Sequence, residues 1–130
     1  MRQTFGKDER LHKKILIKNL FTEGTSFYVH PFRVTTLQSS IYGGSPVQVL
    51  ISVPKQLFKH ATDRNLLKRR IREAYRKNRQ ALYESQEQSD TKLLVCFTYT
   101  AKSILPYSAI EDKIIILLQR LMVGNGKTPG

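Results

Sequence analysis

The stretch from His60 to Arg79, HATDRNLLKRRIREAYRKNR, constrains this chain more than any other, because it reads as a helix with two unlike faces. At about 100° per residue, Leu67, Ile71, Ala74, Tyr75 and Leu82 gather on one arc. That arc is about as wide as a stripe that packs on a sheet. The adjoining arc carries Asn65, Lys68, Arg69, Arg72, Arg76 and Arg79. Asp63 is the expected N-cap, its carboxylate able to accept the unpaired N–H groups of the first turn. From Arg64 to Arg79 the helix would run roughly 24 Å, long enough to follow several backbone phosphates. A solvated surface is one reading of such a stripe. Two features favour a polyanion instead. Glu73 is the only carboxylate between Arg64 and Arg79, so i,i+4 pairing cannot neutralise the arc. Arginine also outnumbers lysine there, which suits bidentate phosphate contacts.

The rest of the chain supplies what that helix packs on. Residues 7–22 read as a first helix, with Leu11, Ile15, Leu16, Ile17, Leu20 and Phe21 giving more apolar surface than one core-facing stripe needs. Gly24 is its natural stop. Residues 26–37 are β-branched and aromatic and read as a strand, with Pro31 marking an edge or a bulge. A loop around Gly43-Gly44 leads to a second strand, 47–53, which places Val47, Val49, Ile51 and Val53 on one face. These two strands are expected to pair antiparallel as a hairpin. After Leu82 a polar connection leads to a buried strand at 92–99. A last helix begins near Pro106 and Ser108 and carries Ile110, Ile114, Leu117, Leu118 and Leu121 at helical spacing. The expected architecture is α+β, a single-domain α/β sandwich with a small mixed sheet and three helices in the order α-β-β-α-β-α. The domain would span 1–123, with a flexible C-terminal tail at 124–130.

Composition narrows the function. With 130 residues the chain suits one core. Its 22 lysines and arginines against 10 acids give a net charge of +12, which points to a polyanionic partner, chiefly nucleic acid. A basic membrane-surface protein would share the charge, but the cationic helix has only a modestly apolar second face. One cysteine excludes an internal disulfide and a cysteine-based zinc site, and Cys96 reads as a small buried hydrophobe. The start, MRQTFGKDERLHKK, has no apolar core of a signal peptide, so a cytoplasmic location without membrane attachment is expected. His12, His30 and His60 lack metal-pair spacing, and Gly43-Gly44 does not precede a helix, so neither a metal site nor a phosphate loop is predicted.

One family carries this pattern. Ala61, Arg64, Asn65, Lys68, Arg69, Arg72, Glu73 and Arg76, spaced A-x-x-R-N-x-x-K-R-x-x-R-E-x-x-R, resemble the signature of the bacterial ribonuclease P protein subunit. Phe5, Glu9-Arg10-Leu11 and Phe21-x-x-Gly24 match its amino-terminal pattern, and Phe58-Lys59-His60-Ala61 matches the run into its signature helix. The family's Arg-Asn-Arg triplet is Arg64-Asn65-Leu66 here, with the third position off the basic arc. The resemblance implies a left-handed β-α-β crossover, against the general right-handed rule. It further implies a subunit of an endoribonuclease that removes the 5′ leader from precursor tRNA, with the RNA subunit as catalyst holding Mg²⁺ and no catalytic residue on this chain. The implied partners are ribonuclease P RNA and precursor tRNA, with no obligate protein partner. Carried over by position, Arg64, Asn65, Lys68, Arg69, Arg72 and Arg76 would contact the catalytic RNA. Ile17, Phe21 and Lys55 would line a leader cleft between the first helix and the sheet. Ile17 stands where some relatives have an aromatic, and Gln56 where a second cation can occur.

Two other readings share the charge and size. A ribosomal protein would be a structural RNA binder without a substrate, and fold alone would not separate it. A DNA-binding regulator would need a recognition helix with base-reading side chains.

Overall fold

Strand β4 (Lys92–Tyr99) is apolar on both faces, with Leu93 through Phe97 all buried, and such a strand needs cover above and below. That requirement sets the sheet. The computed structural model describes residues 9–40 and 45–124. Their order is α1 (Lys14–Glu23), β1 (Thr25–Val29), β2 (Phe32–Ser39), β3 (Val47–Ser52), α2 (Ala61–Asn78), α3 (Gln80–Glu87), β4 and α4 (Tyr107–Gly124). The sheet order is β1-β2-β4-β3. β2 runs antiparallel to both β1 and β4, whereas β3 lies parallel to β4, with Val49 opposite Val95 and Ile51 opposite Phe97.

The α+β class and mixed sheet are as expected, but several boundaries are not. The expected 26–37 strand is two strands. Proline cannot donate to a ladder, and the chain reverses at His30-Pro31, joined by a cis peptide bond. The expected hairpin between β2 and β3 does not form, because β4 takes the central place between them. The first helix starts at Lys14 rather than residue 7, with residues 7 and 8 outside the described range. Ahead of it the chain follows the outer edge of β3: Arg10 bridges Val49 in parallel, and the Leu11 N–H donates to the Val49 carbonyl at 2.9 Å. Leu11 is therefore buried under α1, not on it. The expected polar connection after Leu82 is helical to Glu87, giving four helices among the described residues. Gln86, one turn beyond Leu82, is buried too, its amide donating to Gln38 Oε1 at 3.0 Å and the Thr91 carbonyl at 2.8 Å.

The two sheet faces are unequal. Leu67, Ile71, Ala74 and Tyr75 of α2 and Ile110, Ile114, Leu117, Leu118 and Leu121 of α4 join Val34, Val49, Phe97 and Tyr99 in the larger cluster. The expected apolar stripe, Leu82 included, is buried throughout. On the other face Leu16 and Leu20 of α1 cover Leu94 and Cys96, with Ile17, Leu37 and Leu50 half-buried around them. Burial raises the Cys96 thiol above its ordinary pKa, as suits a packing residue. Gly24 ends α1 as expected, for a steric reason. A Cβ there would lie 2.3 Å from the Leu20 carbonyl oxygen and 2.6 Å from that of Thr36. The run Ile114-Ile115-Ile116 stays helical inside α4, which continues through Gly124. The Gly43-Gly44 loop and residues 125–130 of the expected tail lie outside the described residues.

Candidate nucleic-acid interface

Because Leu67, Ile71 and Tyr75 lock α2 onto the sheet, the side chains beside them are held at a fixed angle to the core. Asn65, Arg69 and Arg72 are exposed and Lys68 is half-buried. Among the described residues none of Lys68, Arg69 and Arg72 takes part in a salt bridge. The helix begins after His60, which makes no side-chain cap bond, so Asp63 is not the N-cap expected of it. It lies in the first turn, where its charge still suits the helix dipole.

The other expected contact residues have internal partners. Arg64 donates through one guanidinium nitrogen to the carbonyls of Phe58 at 2.8 Å and Lys59 at 2.9 Å, tying the preceding loop to the helix. Arg76 meets Glu73 through two bonds, Nε–Oε1 at 3.0 Å and a terminal nitrogen–Oε2 at 2.5 Å. The bond from Arg76 holds the Glu73 carboxyl below its ordinary pKa. Arg79, placed on the basic arc by the helical wheel, leaves it altogether. It pairs with Glu9 at 3.1 Å, and each side chain is only 12% exposed. The same Glu9 oxygen accepts the Tyr83 hydroxyl at 2.5 Å, and Arg79 stacks over the Tyr83 ring at 5.3 Å. Burial, together with that bond, pushes the Tyr83 hydroxyl up to about 12. Arg70, off the arc, donates to the Leu105 carbonyl at 2.7 Å and steadies the turn before α4.

A cleft of about 360 Å³ adjoins the open cations. Lys68 and Arg72 form one wall, and Arg10 and His12 of the segment ahead of α1 form the other. Assigning residues 7–22 to one helix concealed these two. Their signal is the string Glu9-Arg10-Leu11, a charged pair before a leucine that must be buried. Ile17 and Phe21, one turn apart on α1, share a side of that helix. Ile17 is half-buried against the smaller cluster, whereas Phe21 is 54% exposed, a large apolar ring left to solvent. Lys55 is exposed in the separate loop between β3 and α2. No described hydrogen bond or ion pair joins it to the α1 pair.

Chemically, a row of open cations on a rigid helix beside a cation-rimmed cleft can hold a phosphate backbone. The family model for Ribonuclease P matches residues 5–122. The ribonuclease P protein component of Chlorobium phaeobacteroides is 44% identical over 126 residues, covering 88% of this chain and 86% of that protein. Its counterpart in Porphyromonas gingivalis (strain ATCC 33277) is 33% identical over 110 residues, covering 83% and 80% respectively. The fold is similar to the RNase P protein of Thermotoga maritima, with a TM-score of 0.63 at 24% identity over 86% of this chain and 96% of that one. The chain belongs to the ribonuclease P protein family.

Proposed function

We propose that this chain binds the catalytic RNA of ribonuclease P through the outer side of α2 and contacts the 5′ leader of precursor tRNA beside α1. It thereby assists endonucleolytic release of the mature tRNA 5′ end. The observation that carries the reading is the row Lys68, Arg69 and Arg72, lacking salt-bridge partners among the described residues and projecting from a helix whose other face is core. Asn65 adds an amide to that row, and Arg64 and Arg76 can reach phosphate after exchanging their internal partners. On the leader side Phe21 offers a ring to an unstacked base, with Ile17 beneath it and Lys55 for phosphate.

The reaction is assigned to the RNA. In this reading magnesium is held mainly by the RNA subunit. The chain lowers repulsion between two RNAs and orients the leader. Among the described residues no helix is long and apolar enough to cross a membrane, and a cytoplasmic setting fits the RNA partner.

Titration of the catalytic RNA with wild type, Arg69→Ala and Arg72→Ala across a salt series tests the binding surface. Each variant should bind more weakly and lose about 0.7–0.9 from the slope of log K against log salt. Unchanged affinity and slope in both would reject the assignment.

A further inference from the structure

The cleft walled by Arg10 and Lys68 has a composition that the phosphate row alone does not explain. Its apolar lining lies along the outer edge of β3, where half-buried Leu50 on the α1 side and Ile51 on the α2 side meet buried Leu11 and Val49. Its rim carries Arg10, Lys68 and Arg72. Inorganic phosphate would leave the apolar lining uncovered. An apolar peptide would place the rim cations against groups that cannot pair with them, at a desolvation cost. A nucleotide satisfies both parts, because its base has apolar faces and its phosphate takes the cations. The volume, about 360 Å³, suits one nucleotide and no duplex. The base must also be unpaired, since bases stacked in a helix have no free face to offer.

The wall that brings Arg10 is fastened. Arg10 itself bridges Val49 on the edge of β3, Leu11 donates to the Val49 carbonyl, and Glu9 is clamped by Arg79 and Tyr83. Two attachments, the backbone bridge to Val49 and the clamp on Glu9, fix a short segment that would otherwise be free to fold away from the sheet. The site is therefore formed before any ligand arrives.

We propose that this cleft takes one unpaired nucleotide of the catalytic RNA, its base against the apolar edge of β3 at Leu50 and Ile51 and its phosphate on Arg10, Lys68 and Arg72. The assignment to the catalytic RNA rests on the function proposed above, since Lys68 and Arg72 belong to the same row on α2. Arg10 then acts in RNA recognition from outside the signature helix, and the Glu9–Arg79–Tyr83 group is the positioning device behind it.

The test uses the full chain and the catalytic RNA, with chemical probing of every unpaired nucleotide at saturating protein. Arg10→Ala alters an exposed side chain, and thermal unfolding checks that it folds as wild type does. It should weaken RNA binding about tenfold. One unpaired nucleotide protected by wild type should become reactive again when the RNA is saturated with this variant. Arg69→Ala, outside the cleft, should weaken binding yet leave that nucleotide protected. If Arg69→Ala weakens binding while Arg10→Ala changes neither affinity nor protection, the cleft is not a nucleotide site and the proposed function stands. If neither variant binds differently, both fail together. A loss by Arg10→Ala confined to the affinity of the assembled complex for precursor tRNA would overturn the assignment by placing the substrate in the cleft.

Discussion

Arg72 lies within α2 and Arg79 seven residues on, at the junction where α2 gives way to α3, yet one projects into solvent beside a cleft while the other is half-buried against Glu9. A helical wheel treats them alike. The fold separates them through what it sets opposite each: open space and an apolar cleft for Arg72, a carboxylate and a tyrosine ring for Arg79. The role of a cation on this protein is thus decided by the element across from it, and the open row is smaller than the basic run implies. Arg70 makes the same point, being as charged as its neighbours and engaged with the Leu105 carbonyl.

Breaking the buried side of this comparison should have the largest effect. Glu9→Ala leaves Arg79 largely buried without its carboxylate, and loss of one partner of a buried pair costs about 3–5 kcal/mol. Urea unfolding should show that loss. Arg69→Ala, on the open side, should stay within about 0.5 kcal/mol of wild type. Equal effects at the two sites would erase the distinction.

Next comes the pH response of the same buried group. An unfolded tyrosine ionises near pH 10, whereas the folded Tyr83 hydroxyl is pushed up to about 12. Below about pH 10 both states keep the proton and the contribution is complete. Between about pH 10 and 12 only the unfolded chain releases it, so stability falls as pH rises. Relative to Tyr83→Phe, wild type should lose up to about 2–3 kcal/mol across that window. Lysine titration is common to both proteins and cancels in the difference. A constant difference would mean that Tyr83 ionises alike in both states.

The apolar counterpart of the contrast is Tyr75 against Phe21, one ring fully buried and the other 54% exposed. Phe21→Ala should leave thermal unfolding nearly unchanged and lower the assembled complex's affinity for precursor tRNA by about 1–3 kcal/mol. A precursor with a one-nucleotide leader should barely respond. An equal loss with both substrates would show that Phe21 does not meet the leader.

How much of this was legible depends on the range of the interaction. The stripe Leu67, Ile71, Ala74, Tyr75 was readable because helical period and burial coincide within one element. The pairing of β3 with β4 was not, since periodicity states which face is buried and is silent on the neighbouring strand. The double-sided run Leu93–Phe97 was the available hint that β4 is central. Glu9 shows the same limit at the site. Its partner Arg79 is far along the chain, so nothing local distinguished Arg79 from Arg72. The start of α1 was misplaced because Leu11 matches the helix period while its backbone pairs with Val49.

The central claim is that this chain's open cations serve an RNA that performs the cleavage. Single-turnover cleavage of precursor tRNA by RNA-free protein, by the catalytic RNA, and by both, across a magnesium series, tests it most directly. The account predicts no cleavage by the protein alone and a large gain from adding it to the RNA at low magnesium. That advantage should shrink as magnesium rises, because added counterions then screen the same phosphates. Cleavage by rigorously RNA-free protein, or a mixture no faster than RNA alone at every magnesium level, would contradict it.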